Sequence, residues 1–584
     1  MRAVNERLRS LVERIWPIVL LVALLWVVRY WHSSEFGLYE DDLTHLPSAA
    51  VMSLQEVLAF AFDAERILTL QGQGHPLHYT FIYPLTNLGW RFADINGPYW
   101  FGFAIQAFNI VLLYALMRRL HSRAFAVLGS FAYVLYSADT TQAFLTYSLG
   151  LHPSLSLFLL AAHSYLSNKR WLAFPLVTLT LFTYETPFTV FLAFPLVVAI
   201  ANRRWSRARA VDVLVLGLIL VGVVILRMIV GDDRVGGLSL WEALSIPIIH
   251  MIQGPPVSIG TYLYRPLQTL QALNLEIAVV ILLAMGFFAL VLSRLTLHTP
   301  GHQLRAALGS LKQASSRLSS LWGSAPDQVR QLMLLGLSGL VMLVMAYPLT
   351  FTVRAYAVSG RDTRVHAAGV IGAAFLLGAA MLLVLWIADS YRRKRWAVFL
   401  LTAWLGLMAA YGFVIQRDYR LAWTYQQEFW RELVELVPDV EDGTVILVDP
   451  EGLQDTRQIG ANYWNLPRVL EQLYEFPADW ERPPRVYRLT ENWEEGIVTA
   501  DGMLSLDATT VFAPPSTLGV FDPSNAILIK TTDGELNRFN GRIGLGERQL
   551  ELRPAAQIGE PQMAQGFLYQ YLIEINGNSV INDE

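Results

Sequence analysis

The chain has 584 residues, 54% of them hydrophobic and 16% charged, with a formal net charge of −4 and no cysteine. A soluble chain of this size carries about 25% charge; the deficit lies in residues 1–416, and residues 417–584 have an ordinary soluble composition. Disulfides and thiol chemistry are excluded, and no basic aromatic patch points to nucleic acid.

Apolar runs sufficient for about eleven transmembrane helices fall at 16–30, 99–116, 124–136, 149–166, 171–184, 188–201, 211–230, 275–297, 332–352, 367–388 and 396–414. The first has no small-x-small cleavage site behind it and reads as a retained signal anchor. The expected fold class is therefore a polytopic α-helical membrane protein over 1–416, followed by a soluble α/β or α+β domain over 417–584.

Lysine and arginine mark every second break. The clusters are Arg2/Arg7/Arg9/Arg14, Arg118/Arg119/Arg123, Lys169/Arg170, Arg203/Arg204/Arg207/Arg209, residues 298–330 and Arg392/Arg393/Lys394/Arg395. Basic loops stay cytoplasmic, so the N-terminus is expected inside and, with an odd number of spans, residues 417–584 outside. The longest cytoplasmic segment, about 298–330, reads as an amphipathic surface helix with Leu304, Leu308, Leu311, Leu318 and Leu321. The absence of cysteines and organelle signals fits a multi-pass protein of a bacterial inner (cell) membrane.

The first outward loop, 31–98, is too long for a connector. It opens with Tyr39-Glu40-Asp41-Asp42, continues with an amphipathic helix over 54–68, and reaches an aromatic turn at Gly74-His75-Pro76-Leu77-His78-Tyr79. A carboxylate beside another carboxylate, partly desolvated, becomes a better proton acceptor. One of Asp41 and Asp42 then serves as a base and the other orients an acceptor or holds a cation; equally, either one simply caps the next helix. Asp139 follows the third span in Ser137-Ala138-Asp139-Thr140-Thr141, where a solvated loop aspartate is the plain alternative. About 32 residues separate the basic clusters at Arg170 and Arg203, so two short helices barely cross, and the turn Tyr184-Glu185-Thr186-Pro187 holds Glu185 near lipid depth. Asp232-Asp233-Arg234 begins a glycine-rich outward turn, and no span is expected between 231 and 274.

Arginine is the natural partner of a phosphate. The outward candidates are Arg265, Arg354, Arg361 and Arg364; Arg265, between tyrosines, serves equally as an interfacial anchor, and Arg361/Arg364 are either paired with Asp362 or functional. Nucleotide-binding loops, zinc-protease motifs and serine-hydrolase elbows are absent, and the histidines lack metal-ligand spacing, so neither cofactor nor metal is indicated. In the soluble part, helices are expected at 421–436 and 463–473. Strands are expected at 443–448, 509–513, 526–531, 549–552 and 568–575, with a hairpin at Thr532-Asp533-Gly534.

The order of these parts resembles membrane glycosyltransferases of the C-type fold, in particular the protein O-mannosyltransferase branch that includes the transmembrane tetratricopeptide-containing O-mannosyltransferases and their bacterial relatives. Tyr39-Glu40-Asp41-Asp42 matches the family's aromatic-x-Asp-Asp, and His75-Pro76-Leu77 stands where the family has Arg-Pro-Leu. Asn96-Gly97-Pro98-Tyr99 is similar to its Gly-x-x-Pro, Asn109 to an intramembrane Asn, and Thr183-Tyr184-Glu185 to its Ser-Lys-Glu. The family's intramembrane His is absent, with Gln106 nearby, and no tetratricopeptide repeats follow. The resemblance implies transfer of a sugar from a polyprenyl-phosphate donor to a glycan or protein acceptor at the outer face of the bilayer. Asp41 is then the base and Asp42 its support, Glu185 and Asp139 line the site, His75 belongs to the donor turn, and an Arg from the later outward loops stabilises the leaving phosphate. The alternatives are a transporter or flippase of lipid-linked glycans, against which the lack of an internal repeat speaks, and a catalytically silent membrane scaffold.

Overall fold

The computed structural model describes residues 2–70, 74–230, 239–295, 325–350, 354–459, 461, 466–491, 493–495, 497–499, 501–513, 515–532, 534–540, 542–545, 548–554 and 558–574. Asp232-Asp233-Arg234 and nearly all of the expected surface helix at 298–330 lie outside the described residues. The chain forms two compact units, Met1–Ser34 with Leu58–Arg417, and Glu35–Val57 with Asp418–Glu584.

The first unit is helical. Among the described residues, eight helices are long and apolar enough to cross a membrane: Ile15–Glu35, Asn96–Leu120, Leu145–Leu166, Arg207–Val230, Leu275–Arg294, Asp327–Val344, Gly369–Ser390 and Lys394–Leu436. Three shorter apolar helices, Arg123–Val134, Arg170–Thr183 and Thr186–Ala201, lie between them in sequence. The protein is thus a polytopic helical membrane protein. Only 11% of the apolar window of Arg207–Val230 is buried, against 83% for Leu145–Leu166. The former presents Leu214, Leu218, Met228 and Ile229 outward, where lipid replaces protein as the neighbour; the latter belongs to the bundle interior.

Glycine brings the central helices together, because apolar side chains gain nothing by leaving lipid and close backbone approach must supply the packing. A Cβ on Gly378 would lie 2.8 Å from the Cα of Gly129, and one on Gly372 only 2.4 Å from the backbone nitrogen of Leu343. These positions join Gly369–Ser390 to Arg123–Val134 on one side and to Asp327–Val344 on the other.

Four expectations for the membrane part are corrected. The amphipathic segment 54–68 is two helices, Leu54–Ala61 and Ala64–Leu68, because Asp63 stops the first and caps the second, its side chain accepting from the Glu65 amide. His75-Pro76 is not an isolated turn but the start of an 18-residue helix, Pro76–Ala93, with proline in the first turn where no amide partner is needed. The segment between 231 and 274, expected to be loop, contains the helix Leu240–Gln271 despite Pro247, Pro255, Pro256 and Pro266; neighbouring helices in membrane proteins tolerate such breaks. The last span and the helix expected at 421–436 are one helix of 43 residues, Lys394–Leu436.

The second unit is built on a mixed five-stranded sheet in the order Val511–Phe512, Arg485–Leu489, Val445–Val448, Ala526–Thr532, Glu535–Arg538. Val445–Val448 is buried at every position and runs parallel to both neighbours, Val445 pairing with Arg485 and with Ala526. That is the environment a continuous apolar strand requires. The helix Leu466–Leu473 connects the first two parallel strands, and the outer strands are antiparallel. Gly534, at φ +86°, turns the hairpin between Ala526–Thr532 and Glu535–Arg538. Arg548–Glu551 pairs instead with Arg542–Leu545. Residues 568–575, expected as a strand, hold the short helix Tyr569–Leu572, whose Tyr569 and Leu572 are buried; an apolar run this short does not distinguish the two structures.

Residues 35–57 join this unit through aromatic packing. Phe36 stacks on Tyr419 at 4.9 Å, the Tyr39 hydroxyl donates to the Tyr419 carbonyl at 2.7 Å, and a Cβ on Gly37 would fall 1.8 Å from the Trp423 indole.

The glycine contacts predict that Gly372→Ala lowers the thermal unfolding midpoint in detergent, overpacking costing about 1–3 kcal/mol. Gly217→Ala, with open space around its Cβ, holds or raises the midpoint through helix propensity. Equal midpoints for the two variants would contradict the close helix contact.

Candidate functional site

Buried polar groups of the helical unit gather into two clusters. In the first, Arg170–Thr183 ends at an extended Tyr184, and Glu185 stands at the N-cap of Thr186–Leu192, where Pro187 prevents continuation of the preceding helix. Glu185 is only 7% exposed. Its Oε2 pairs with Nε2 of His75, which precedes the helix Pro76–Ala93 and stacks on Tyr184. The Arg227 guanidinium lies 3.7 Å from the same oxygen and donates to the carbonyls of Leu181 at 2.7 Å and Gly74 at 3.0 Å. A carboxylate this poorly hydrated needs such partners. His75, Glu185 and Arg227 thus form one buried polar group joining three helix ends.

The second cluster surrounds Asp139. Its Oδ1 accepts from the Thr141 amide at 2.9 Å and the Thr141 hydroxyl at 2.7 Å. The next residue, Thr140, bonds Thr363 through its amide at 3.0 Å, which ties this loop to the 3-10 turn Arg361–His366. Arg364 donates to the Tyr147 hydroxyl and lies over that ring at 5.2 Å. Arg29, at the end of the first span, donates to Gln106 at 2.6 Å and to the carbonyls of Tyr133 and Val134 at 2.9 and 3.0 Å. Gln106 in turn donates to the Tyr30 hydroxyl and the Gln142 carbonyl, each at 2.7 Å. Burial pushes the Asp139 carboxyl up to about 6; the Thr141 bonds and the charges of Arg29 and Arg364 oppose this without cancelling it.

Asn109 donates to the His152 carbonyl at 3.1 Å and accepts from Ser156 at 2.6 Å. The His152 ring is 3% exposed, and neither ring nitrogen has a hydrogen-bond partner among the described residues. An orphaned buried imidazole calls for an explanation beyond packing.

The remaining sequence candidates are placed as follows. Asp41 and Asp42 belong to the second unit. Asp41 occupies the N-cap position of the helix Asp42–Val51 but makes no side-chain capping bond, so the cap alternative does not describe it. Asp42 is fully buried, 3.3 Å from the Tyr39 amide that donates to it. Glu40 adopts φ +49°, a left-handed conformation uncommon outside glycine. Arg265 is not in a loop: it lies on Leu240–Gln271, 1% exposed, with the Tyr264 and Tyr411 rings at 5.0 and 4.8 Å and bonds to Gln268 and the Val358 carbonyl. Arg361 is half-buried at the start of the 3-10 turn.

Sequence reasoning brought Glu185, His75 and Asp139 forward separately and missed Arg227 beside Glu185, Arg29 in the Asp139 cluster and the buried His152. Arg227 had a usable signal, a lone cation near the end of a 24-residue apolar helix. Arg29 had a weaker one, a basic residue at the wrong end of its span. No protein-family model matches the chain, and no curated protein matches it in sequence.

Two outcomes follow. Arg227→Leu destabilises the protein by about 3–5 kcal/mol, the cost of stranding a buried partner, and adding Glu185→Leu restores much of the loss in detergent unfolding. For Asp139 the folded carboxyl binds its proton more tightly than the unfolded one, whose value is near 3.8. Stability therefore falls as pH rises from about 4 to about 6 and is level above that. Asp139→Asn removes this slope, and an unchanged slope in melting curves across that window would contradict the assignment.

Proposed function

We propose that the protein is a membrane glycosyltransferase that moves a sugar from a polyprenyl-phosphate donor to an acceptor hydroxyl on the extracytoplasmic face of a bacterial inner membrane. The observation that carries the reading is the concentration of buried acids and bases at particular helix ends. If the eight long helices and three shorter ones each cross, the odd-numbered spans all run in one direction. Arg29 ends the first, Asp139 follows the third, Glu185 follows the fifth and Arg227 ends the seventh. All four then emerge on the side opposite the basic loops, which is the outer side under the positive-inside rule. The same count sets the N-terminus inside and residues 417–584 outside. Charged groups at such sites are costly and mark function rather than packing.

In this reading the acceptor oxygen bonds the anomeric carbon as the bond from that carbon to the phosphate oxygen breaks. The hydroxyl proton passes to Asp41, and polyprenyl phosphate leaves with the bonding electron pair. Asp42, buried beside Asp41, accepts from the Tyr39 amide and so fixes the start of the helix that carries both carboxylates. The resemblance assigns the donor sugar to Glu185, His75 and Asp139 of the helical unit, and its phosphate to Arg361 or Arg364 of that unit. Arg265, covered by two tyrosine rings, is not assigned that role.

The test gives purified full-length protein polyprenyl-phosphate hexoses with glycan and peptide acceptors. Transfer or donor hydrolysis is expected, reduced roughly a hundredfold or more in Asp41→Asn, the usual worth of a general base. Activity indifferent to that substitution sinks the Asp41 assignment. Movement of the lipid-linked sugar across vesicles without transfer supports the transporter alternative instead.

A further inference from the structure

The second unit contains a polar cavity of about 190 Å³, lined by Thr44 and Ser48 of the helix Asp42–Val51, by Arg468, Glu471 and Gln472 of the helix Leu466–Leu473, and by Arg485 of the adjoining strand. Three elements distant in sequence thus converge on one small space. A folding core would fill it with apolar side chains; here Leu43 is the one apolar residue of the lining and the rest are charged, amide or hydroxyl groups.

The donors around it are under-used. Arg468, exposed at the rim, makes one bond among the described residues, to the Ser516 hydroxyl at 3.3 Å. Arg485 reaches the Thr517 carbonyl at 3.5 Å and lies 3.9 Å from Glu471, while its Nε has no hydrogen-bond partner. The buried Thr44 hydroxyl has none either. A guanidinium offers five N–H donors, so both arginines keep N–H groups that a ligand can take over from water. Two arginines against one glutamate leave the site a net cation. Burial raises the Glu471 carboxyl and both arginines oppose that rise, which places the three charges within reach of one another. Nearby, burial lowers the His45 imidazole; Asp41 opposes this and Arg468 adds to it, so the cationic rim extends electrostatically toward the Asp41 end of the helix.

Charge selects an anion, and the other groups say what else it carries. Inorganic phosphate occupies well under half of such a volume, and Glu471, Gln472, Thr44 and Ser48 add acceptors and donors of the kind that bond sugar hydroxyls. We propose that this cavity binds an anionic monosaccharide unit, a uronate or a sugar phosphate, with its carboxylate or phosphate against Arg468 and Arg485 and its hydroxyls against Glu471, Gln472 and Thr44. The site is separate from the transferase reading and does not depend on it, because binding is measured without donor or turnover.

Full-length protein in detergent is titrated calorimetrically with glucuronate, galacturonate, glucose 6-phosphate and mannose 6-phosphate, and with glucose and inorganic phosphate as controls. At least one anionic sugar binds saturably, and both controls bind at least roughly tenfold more weakly, the loss expected when a charge-assisted pair or a hydroxyl set is missing. Arg468→Gln and Arg485→Gln each weaken that sugar by a similar factor. Thr44→Val weakens it less, and unfolding midpoints are followed to confirm that each variant is folded. Uronate against sugar phosphate preference distinguishes the two anion sources. Failure of all four sugars, binding indifferent to Arg468→Gln in folded protein, or inorganic phosphate binding as tightly as the best sugar each overturns the proposal. Transferase activity that persists while this binding fails removes this inference alone.

Discussion

A charge that leaves water for an apolar helical body loses several kcal/mol of hydration, and only close partners return it. In the helical unit this constraint governs which helix ends meet. Glu185 is held by His75 and Arg227, which come from the start of one helix and the last turn of another. Arg29 finds carbonyls that the end of Arg123–Val134 leaves exposed, together with Gln106 from within a further helix. Glu185, His75 and Asp139, which help hold these helix ends, are also residues to which the proposed transfer assigns the donor. Removing a partner therefore disturbs fold and chemistry together, and paired substitutions are needed to separate the two.

The glycine seams act at the opposite pole of the energy scale. Gly129, Gly372 and Gly378 supply no specific chemistry, yet their missing Cβ atoms allow the central helices to approach closely. Rigid central packing leaves the peripheral helix Arg207–Val230 largely facing outward, while Arg227 in its last turn reaches Glu185. The second unit follows different rules: a parallel strand core closed by antiparallel edges, and an N-proximal segment held by Phe36, Gly37 and Tyr39 against the helix bearing Tyr419 and Trp423. Tyr39 is thereby explained by packing, and within Tyr39-Glu40-Asp41-Asp42 it is Asp41 that retains partial exposure.

The candidate site was only partly legible beforehand. Glu185 could be found because a hairpin this short forces its turn residue toward lipid depth. His75 could be seen only as a turn residue, since nothing local says that it reaches across 110 positions. Arg265 was misread as a loop residue because four prolines look like breakers, whereas in the packed bundle they lie within a helix. The cavity around Arg468 and Arg485 left no trace in the sequence at all, its lining being drawn from positions more than 400 residues apart.

The sequence by itself determined the class of protein, the position of most of the long apolar helices and the central strands of the second unit, because burial of apolar surface is a local and additive demand written in runs and periods. It also determined that residues 417–584 differ in kind from what precedes them. Only the tertiary structure decided that residues 35–57 fold with that later part, that Glu185 is matched by His75 and Arg227, and that Arg265 is covered by tyrosines. Pairing of buried charge depends on distance in space, and contacts between remote segments leave no periodic mark on a single chain.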